Sequence, residues 1–153
     1  MPEIKIIAAF LAVLFITVIM YAIVRIREIR QKEAREFHFA EPTLHDKERK
    51  NEQWEVVLAH VNSHSESDWR LAILEADNML EDMVRALGYV GESLGEKLKG
   101  VEQSDFTTIQ SAWEAHKIRN QIAHDGVKFP LNQREARRVV GLYEDVFKEF
   151  EFI

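Results

Sequence analysis

The chain has 153 residues, 26 acidic against 20 basic side chains for a formal net charge of −6, and no cysteine. That length suits one compact domain and not comfortably two, and the absence of thiols excludes disulfides, cysteine nucleophiles and thiolate metal sites. An acidic balance argues against polyanion binding over the whole surface, because phosphate contacts need local cation density.

Residues 6–24 form an uncharged run of nineteen, interrupted in its aliphatic and aromatic character only by Thr17 and Tyr21. As a helix this run is about 28 Å long, close to the hydrocarbon thickness of a bilayer. A cleaved signal peptide would have an apolar stretch of roughly 7 to 15 residues, a basic segment before it and a small-residue cleavage site after it. Here only Lys5 precedes the run, and the exit from Met20 to Arg25 has no paired small residues. The sequence therefore predicts a retained single-pass transmembrane helix over residues 4–24. Arg25, Arg27, Arg30, Lys32 and Arg35 follow it. Basic residues beside a span stay on the cytoplasmic side, so the N-terminus is expected outside and the rest in the cytoplasm of a cell-membrane protein. The same cations can lie against anionic lipid of the bilayer. Residues 25–43 read as a basic juxtamembrane helix, with Glu28 and Lys32 spaced for an ion pair, and a linker broken by Pro42.

Residues 44–153 read as one helical-bundle domain. Trp54, Val57, Leu58 and Val61 make a stripe over 52–62, and the polar break 64–68 offers N-caps for a helix over 68–87. That helix carries Trp69, Ala72, Ile73, Ala76, Leu80, Met83, Val84 and Leu87 at helical spacing, and Gly88 closes it. A short helix over 91–98 presents Leu94 and Leu98. The next is expected to start near Ser104 or Asp105 and run to about His124, with Ile109, Ala112, Trp113 and Ile122 inward, stopped by Asp125-Gly126. Asn132-x-x-Glu135 resembles a capping box ahead of Ala136, Val139, Val140, Tyr143, Val146, Phe147 and Phe150. No segment alternates with period two long enough for a strand. The fold class is all-α: one N-terminal transmembrane helix, then an antiparallel bundle of four or five helices.

Charge is uneven along this bundle. Residues 41–114 hold sixteen acidic and seven basic side chains, whereas 115–138 hold six basic (Lys117, Arg119, Lys128, Arg134, Arg137 and Arg138) against Asp125 and Glu135. One positive segment in an acidic field can steer a phosphate to a single place. Within it lies Arg119-Asn120-Gln121-Ile122-Ala123-His124, at a helix C-terminus. At about 100° per residue, Arg119 and His124 are roughly 140° apart on an ideal helix. They converge only if the last turn loosens at Gly126 or a second subunit supplies the partner. Arg119 offers a rigid fork suited to phosphate.

This string resembles the motif of the HEPN superfamily, an Arg followed after four to six residues by a His, with a polar residue such as Asn120 directly after the Arg. The resemblance covers roughly residues 52–150, with a Trp-led helix before the motif and a capped helix carrying Tyr143-Glu144 after it. It implies a helical bundle that forms a homodimer with two motifs at a shared cleft. In many members the activity is metal-independent RNA cleavage, and other members act as binding or assembly modules with an unspecified protein partner. Carried over, His124 would be the general base or acid, Arg119 would stabilise charge on the scissile phosphate, and Asn120 would orient one of them or the substrate. Lys117, Lys128, Arg134, Arg137 and Arg138 are the clustered cations expected to hold the RNA backbone. No cofactor or metal is implied. The chain departs from toxin-type members in having Gly126 where they carry a Tyr, so regulation through that Tyr is not expected.

The other candidates are weaker. His60 and His64 are four apart but lack an HExxH pattern, so metal binding is not expected. Glu114 and His116 form an acid/imidazole pair one turn before Arg119, with His116 expected to face solvent, the alternative being a place near the same cleft. Trp54, Trp69 and Trp113 read as core anchors.

Overall fold

A computed structural model describes residues 14–21, 25 and 44–153. The chain divides into two units, residues 1–38 and 39–153. In the first, residues 14–21 are helical, and Thr17 Oγ1 donates back to the Leu14 carbonyl at 2.8 Å. Their large apolar side chains are exposed. No helix among the described residues is long and apolar enough to cross a membrane. Most of the expected span 4–24, and nearly all of the basic segment and linker 25–43, lie outside the described residues.

The second unit is an all-helical bundle, with no strand among the described residues. Its elements are α1 (Leu44–Asn62), α2 (Glu66–Ala86), α3 (Leu94–Lys99), α4 (Ile109–Asp125), a 3-10 turn (Gly126–Lys128) and α5 (Gln133–Glu149). α2 packs against each of the other four α-helices. It does so because its apolar stripe is wide: Ala72, Ile73, Ala76, Leu80, Met83 and Val84 are all buried. Facing it are Trp54, Val57 and Val61 of α1 and Val139, Val140, Tyr143, Val146 and Phe147 of α5. The Trp54 and Phe147 rings meet edge-on at 5.4 Å. Each large side chain removed from water here contributes on the order of 1.5–3 kcal/mol.

The helix ends are set by hydrogen bonds. α2 stops in a Schellman motif: the Gly88 N–H donates to the Arg85 carbonyl and the Tyr89 N–H to Val84, with Gly88 at φ 85°. Only a residue without Cβ takes that φ freely. Asn132 caps α5 by accepting from the Glu135 N–H at 3.0 Å, while the Glu135 carboxylate turns to Arg138 instead of completing the box. Between α1 and α2, Trp69 Nε1 and Gln133 Nε2 both donate to the Ser63 carbonyl, which leaves Trp69 half-buried with its polar edge holding the turn.

The starts of α1, α3 and α4 differ from expectation, α3 beginning at Leu94 and not at 91, where Ser93 caps it by accepting from the Glu96 N–H. α1 begins at Leu44 and not at 52, since its first turns are charged and exposed and the apolar stripe starts only at Trp54. Such residues are good helix formers that leave no periodic signal. α4 begins at Ile109 and not at 104 or 105. Phe106 is fully buried and draws the preceding turn into the core, where its ring meets Phe150 at 4.8 Å. The cap comes from far along the chain: the Glu149 carboxylate accepts from the Thr107 N–H at 2.6 Å and the Thr108 N–H at 2.8 Å, and from both hydroxyls.

Candidate functional site: a buried carboxylate beneath the motif helix

On α2, Asp77 stands where an apolar residue would be expected, four after Ile73 and three before Leu80 on the buried stripe. It is 3% exposed. A carboxylate so buried is tolerated only with partners, since desolvating it alone costs several kcal/mol. It has three, from two other helices. The Tyr143 hydroxyl of α5 donates to Oδ1 at 3.0 Å, and His116 Nδ1 of α4 lies 2.8 Å from the same oxygen. Arg119 Nε of α4 is 3.1 Å from Oδ2. That nitrogen is buried and makes no well-aligned hydrogen bond, so its contact with Asp77 is an ion pair. Burial, then the charge of Asp77 and the hydrogen bond to it, push the Tyr143 hydroxyl well above its usual value against the opposing effect of Arg119. Tyr143 therefore stays a donor.

The network closes through Asn120. Arg119 Nη1 donates to Asn120 Oδ1 at 3.0 Å, and Asn120 Nδ2 is 3.0 Å from His116 Nε2. On α4 these residues fall at i, i+3 and i+4, which puts His116, Arg119 and Asn120 on one face. A guanidinium can only donate, so the amide oxygen faces it; the amide nitrogen then can only donate to His116 Nε2, which must carry a lone pair. His116 Nδ1 therefore bears the proton and donates to Asp77. The ring of contacts Asp77–His116–Asn120–Arg119 assigns one tautomer to the imidazole.

Two open grooves flank this face. One, about 630 Å³, is lined by His116, Arg119 and Asn120 together with Asp77, Trp113 and the loop and first turn around α3, including Glu92, Gly95 and Glu96. The other, about 760 Å³, is lined entirely by α4 residues, among them Trp113, His116, Lys117, Asn120 and His124. Trp113 is half-buried between the two, its ring 6.5 Å from that of His116.

Of the motif residues expected from sequence, Arg119 and Asn120 are joined and His124 stands apart. α4 stays helical through Asp125, so the separation of about 140° between Arg119 and His124 persists. The His124 side chain is 88% exposed, and its Nδ1 contacts Asp125 Oδ1 at 2.8 Å. Beyond it, Arg70 donates to the Gly126 carbonyl at 2.8 Å and the Phe129 carbonyl at 2.7 Å, tying the turn after the motif to α2.

The cations divide in the same way. Lys117, Lys128, Arg134 and Arg137 are exposed and make no ion pair among the described residues. Arg138 is held by Glu114 at 2.6 Å and Glu135 at 2.8 Å, and hydrogen bonds to these two carboxylates raise its pKa further. His60 is paired with Glu75 at 2.9 Å, and no cluster of three metal-ligating side chains occurs among the described residues. His116, expected to face solvent, is instead 12% exposed and bound to Asp77.

The sequence singled out His116, with a place near the cleft only as the alternative, and Tyr143 as core; Asp77, which joins them, it did not mark. A carboxylate on the apolar stripe of α2 was the available signal. Compared with known proteins, the chain matches no family model, no curated protein and no solved structure.

Proposed function

We propose that this chain is a membrane-anchored HEPN-like domain that cleaves single-stranded RNA without a metal. The observation that carries the reading is the shared support of Arg119, Asn120 and His116 on one buried carboxylate beside a groove. A buried ionic cluster adds little net stability over an apolar core of the same volume, whereas it fixes an Arg fork and an imidazole in register. Attack of a ribose 2′-hydroxyl on the adjacent phosphate needs a proton acceptor, a proton donor and a cation, and these side chains can supply them.

His124 enters this site from a second copy of the chain. The groove it lines has walls from α4 alone, and the half-buried Trp113 offers the apolar centre that a twofold contact needs. The anchor is the uncharged run 6–24, whose described residues, 14–21, are helical and expose large apolar side chains. The flanking basic residues orient the domain to the cytoplasm.

A non-catalytic, membrane-tethered interaction module is the second reading. It is favoured by the capture of Arg138 by Glu114 and Glu135, and by Glu81, Glu92 and Glu96 on the groove that contains Arg119. The two separate on one experiment. The full chain in detergent is incubated with single-stranded RNA and excess EDTA at rising salt. Cleavage that declines with salt and is lost in Arg119→Ala supports the nuclease. RNA left intact by a folded dimer, across several substrates, supports the interaction module.

A further inference from the structure

We propose that His116, and not His124, is the general base of this site, with Asp77 as its positioning residue. The inference rests on the RNA-cleaving reading above and assigns the two protons of that reaction to two imidazoles.

A base must present a lone pair, in a fixed direction, where the substrate hydroxyl arrives. His116 Nε2 carries such a lone pair, held by the Asn120 amide N–H until the substrate hydroxyl displaces it. Its tautomer is fixed from both sides, by the carboxylate accepting from Nδ1 and by the Asn120 amide donating to Nε2 at 3.0 Å. The ring is mostly buried and packed against Trp113, so its direction is fixed as well. Asn120 is exposed, and its amide N–H occupies the position an incoming O–H donor would take. Gly95 lies opposite: a Cβ there would stand in ordinary contact with Nε2, at 3.5 Å, and its absence keeps that approach wider. His124 has none of these supports. It is 88% exposed, and its only side-chain partner among the described residues is its sequence neighbour Asp125.

In the step proposed, His116 Nε2 takes the proton of the ribose 2′-hydroxyl and the 2′-oxygen forms a bond to phosphorus. The bond from phosphorus to the 5′-oxygen breaks, and that oxygen leaves with a proton from the His124 imidazolium of the second copy. One proton is taken and one given, and water returns the two imidazoles to their starting forms. Arg119 balances charge on the phosphate oxygens.

The test uses two RNA substrates that differ in one atom, the bridging 5′-oxygen and a sulfur in its place. A thiolate leaves without protonation, so loss of the acid is rescued by sulfur and loss of the base is not. His116→Asn keeps an N–H donor for Asp77 and deletes Nε2; circular dichroism of the full chain checks its fold. We expect His116→Asn to lose at least about 100-fold in rate on both substrates. His124→Ala should lose a similar factor on the oxygen substrate and recover most of it on the sulfur one. Wild-type cleavage with a folded His116→Asn as fast as wild type overturns the assignment and leaves the RNA-cleaving reading standing. Failure of the wild type on both substrates sinks the reading and the assignment together. If the variant does not fold, the wild type supplies the test. Acylation by diethyl pyrocarbonate, mapped by mass spectrometry, should abolish cleavage of the sulfur substrate in step with modification of His116; loss that tracks His124 instead overturns the proposal.

Discussion

His116 Nδ1 lies 2.8 Å from Oδ1 of Asp77, a residue 39 positions earlier in the chain and 3% exposed in the middle of the apolar stripe of α2. Tyr143 and Arg119 meet the same carboxylate, while Ile109, Ala112, Ala115 and Ile122 bury the apolar side of α4. This sharing makes Asp77 the residue whose loss costs most. In Asp77→Ala the Tyr143 hydroxyl and the His116 N–H lose their acceptor and the Arg119 guanidinium loses its ion-pair partner at once. We expect destabilisation of about 3–5 kcal/mol in urea unfolding, as for one partner removed from a buried pair. A change under about 1 kcal/mol would mean that water reaches these groups and that the carboxylate is not their support.

How much of this was legible in the sequence differs by element. The stripes of α2 and α5 were plain, because Ile73, Ala76, Leu80 and Val84, and Val139, Tyr143 and Phe147, repeat at helical spacing and do become core. The start of α1 was not, since its charged first turns carry no period. The start of α4 was hidden for another reason: its cap is Glu149, more than 40 residues away, which no local pattern announces. Arg119 and Asn120 were visible as a motif, whereas Asp77 appeared only as one acidic residue among many. Its role is set by which helix faces it, and pairing between helices is a tertiary property.

Glu149 gives a stability that depends on pH. Burial alone would raise its pKa, but hydrogen bonds from Thr108, then Thr107, outweigh it and hold the carboxyl below its ordinary value of 4.5. A carboxyl with a depressed folded-state pKa contributes stability above its unfolded pKa and loses it as pH falls through the folded one. Glu149→Gln should therefore cost about 1 kcal/mol at pH 7, the scale of a lost helix cap on a group that remains partly exposed. The gap to wild type should close as pH drops below 4.5. Urea titrations across that range would measure it, and a gap independent of pH would contradict the capping role.

Gly95 separates stability from function. It lies inside α3, where its missing Cβ faces His116 Nε2 at 3.5 Å, an ordinary contact distance. Gly95→Ala should fold and gain up to about 1 kcal/mol from helix propensity. It should also narrow the groove at the imidazole and raise KM for RNA. Thermal melts and initial rates on the same preparation would detect opposite signs; a gain in both would mean that substrate does not approach along this groove.

The chemistry of the cleaved ends tests the central claim most directly. RNA incubated with the full chain in EDTA should yield fragments bearing 2′,3′-cyclic phosphate and 5′-hydroxyl termini, because in the proposed reaction the nucleophile is the ribose itself and no metal takes part. DNA of the same sequence should remain intact for want of the 2′-hydroxyl. Fragments with 5′-phosphate and 3′-hydroxyl ends, or equal cleavage of DNA, would contradict a site built from Arg119, Asn120 and a Asp77-supported imidazole.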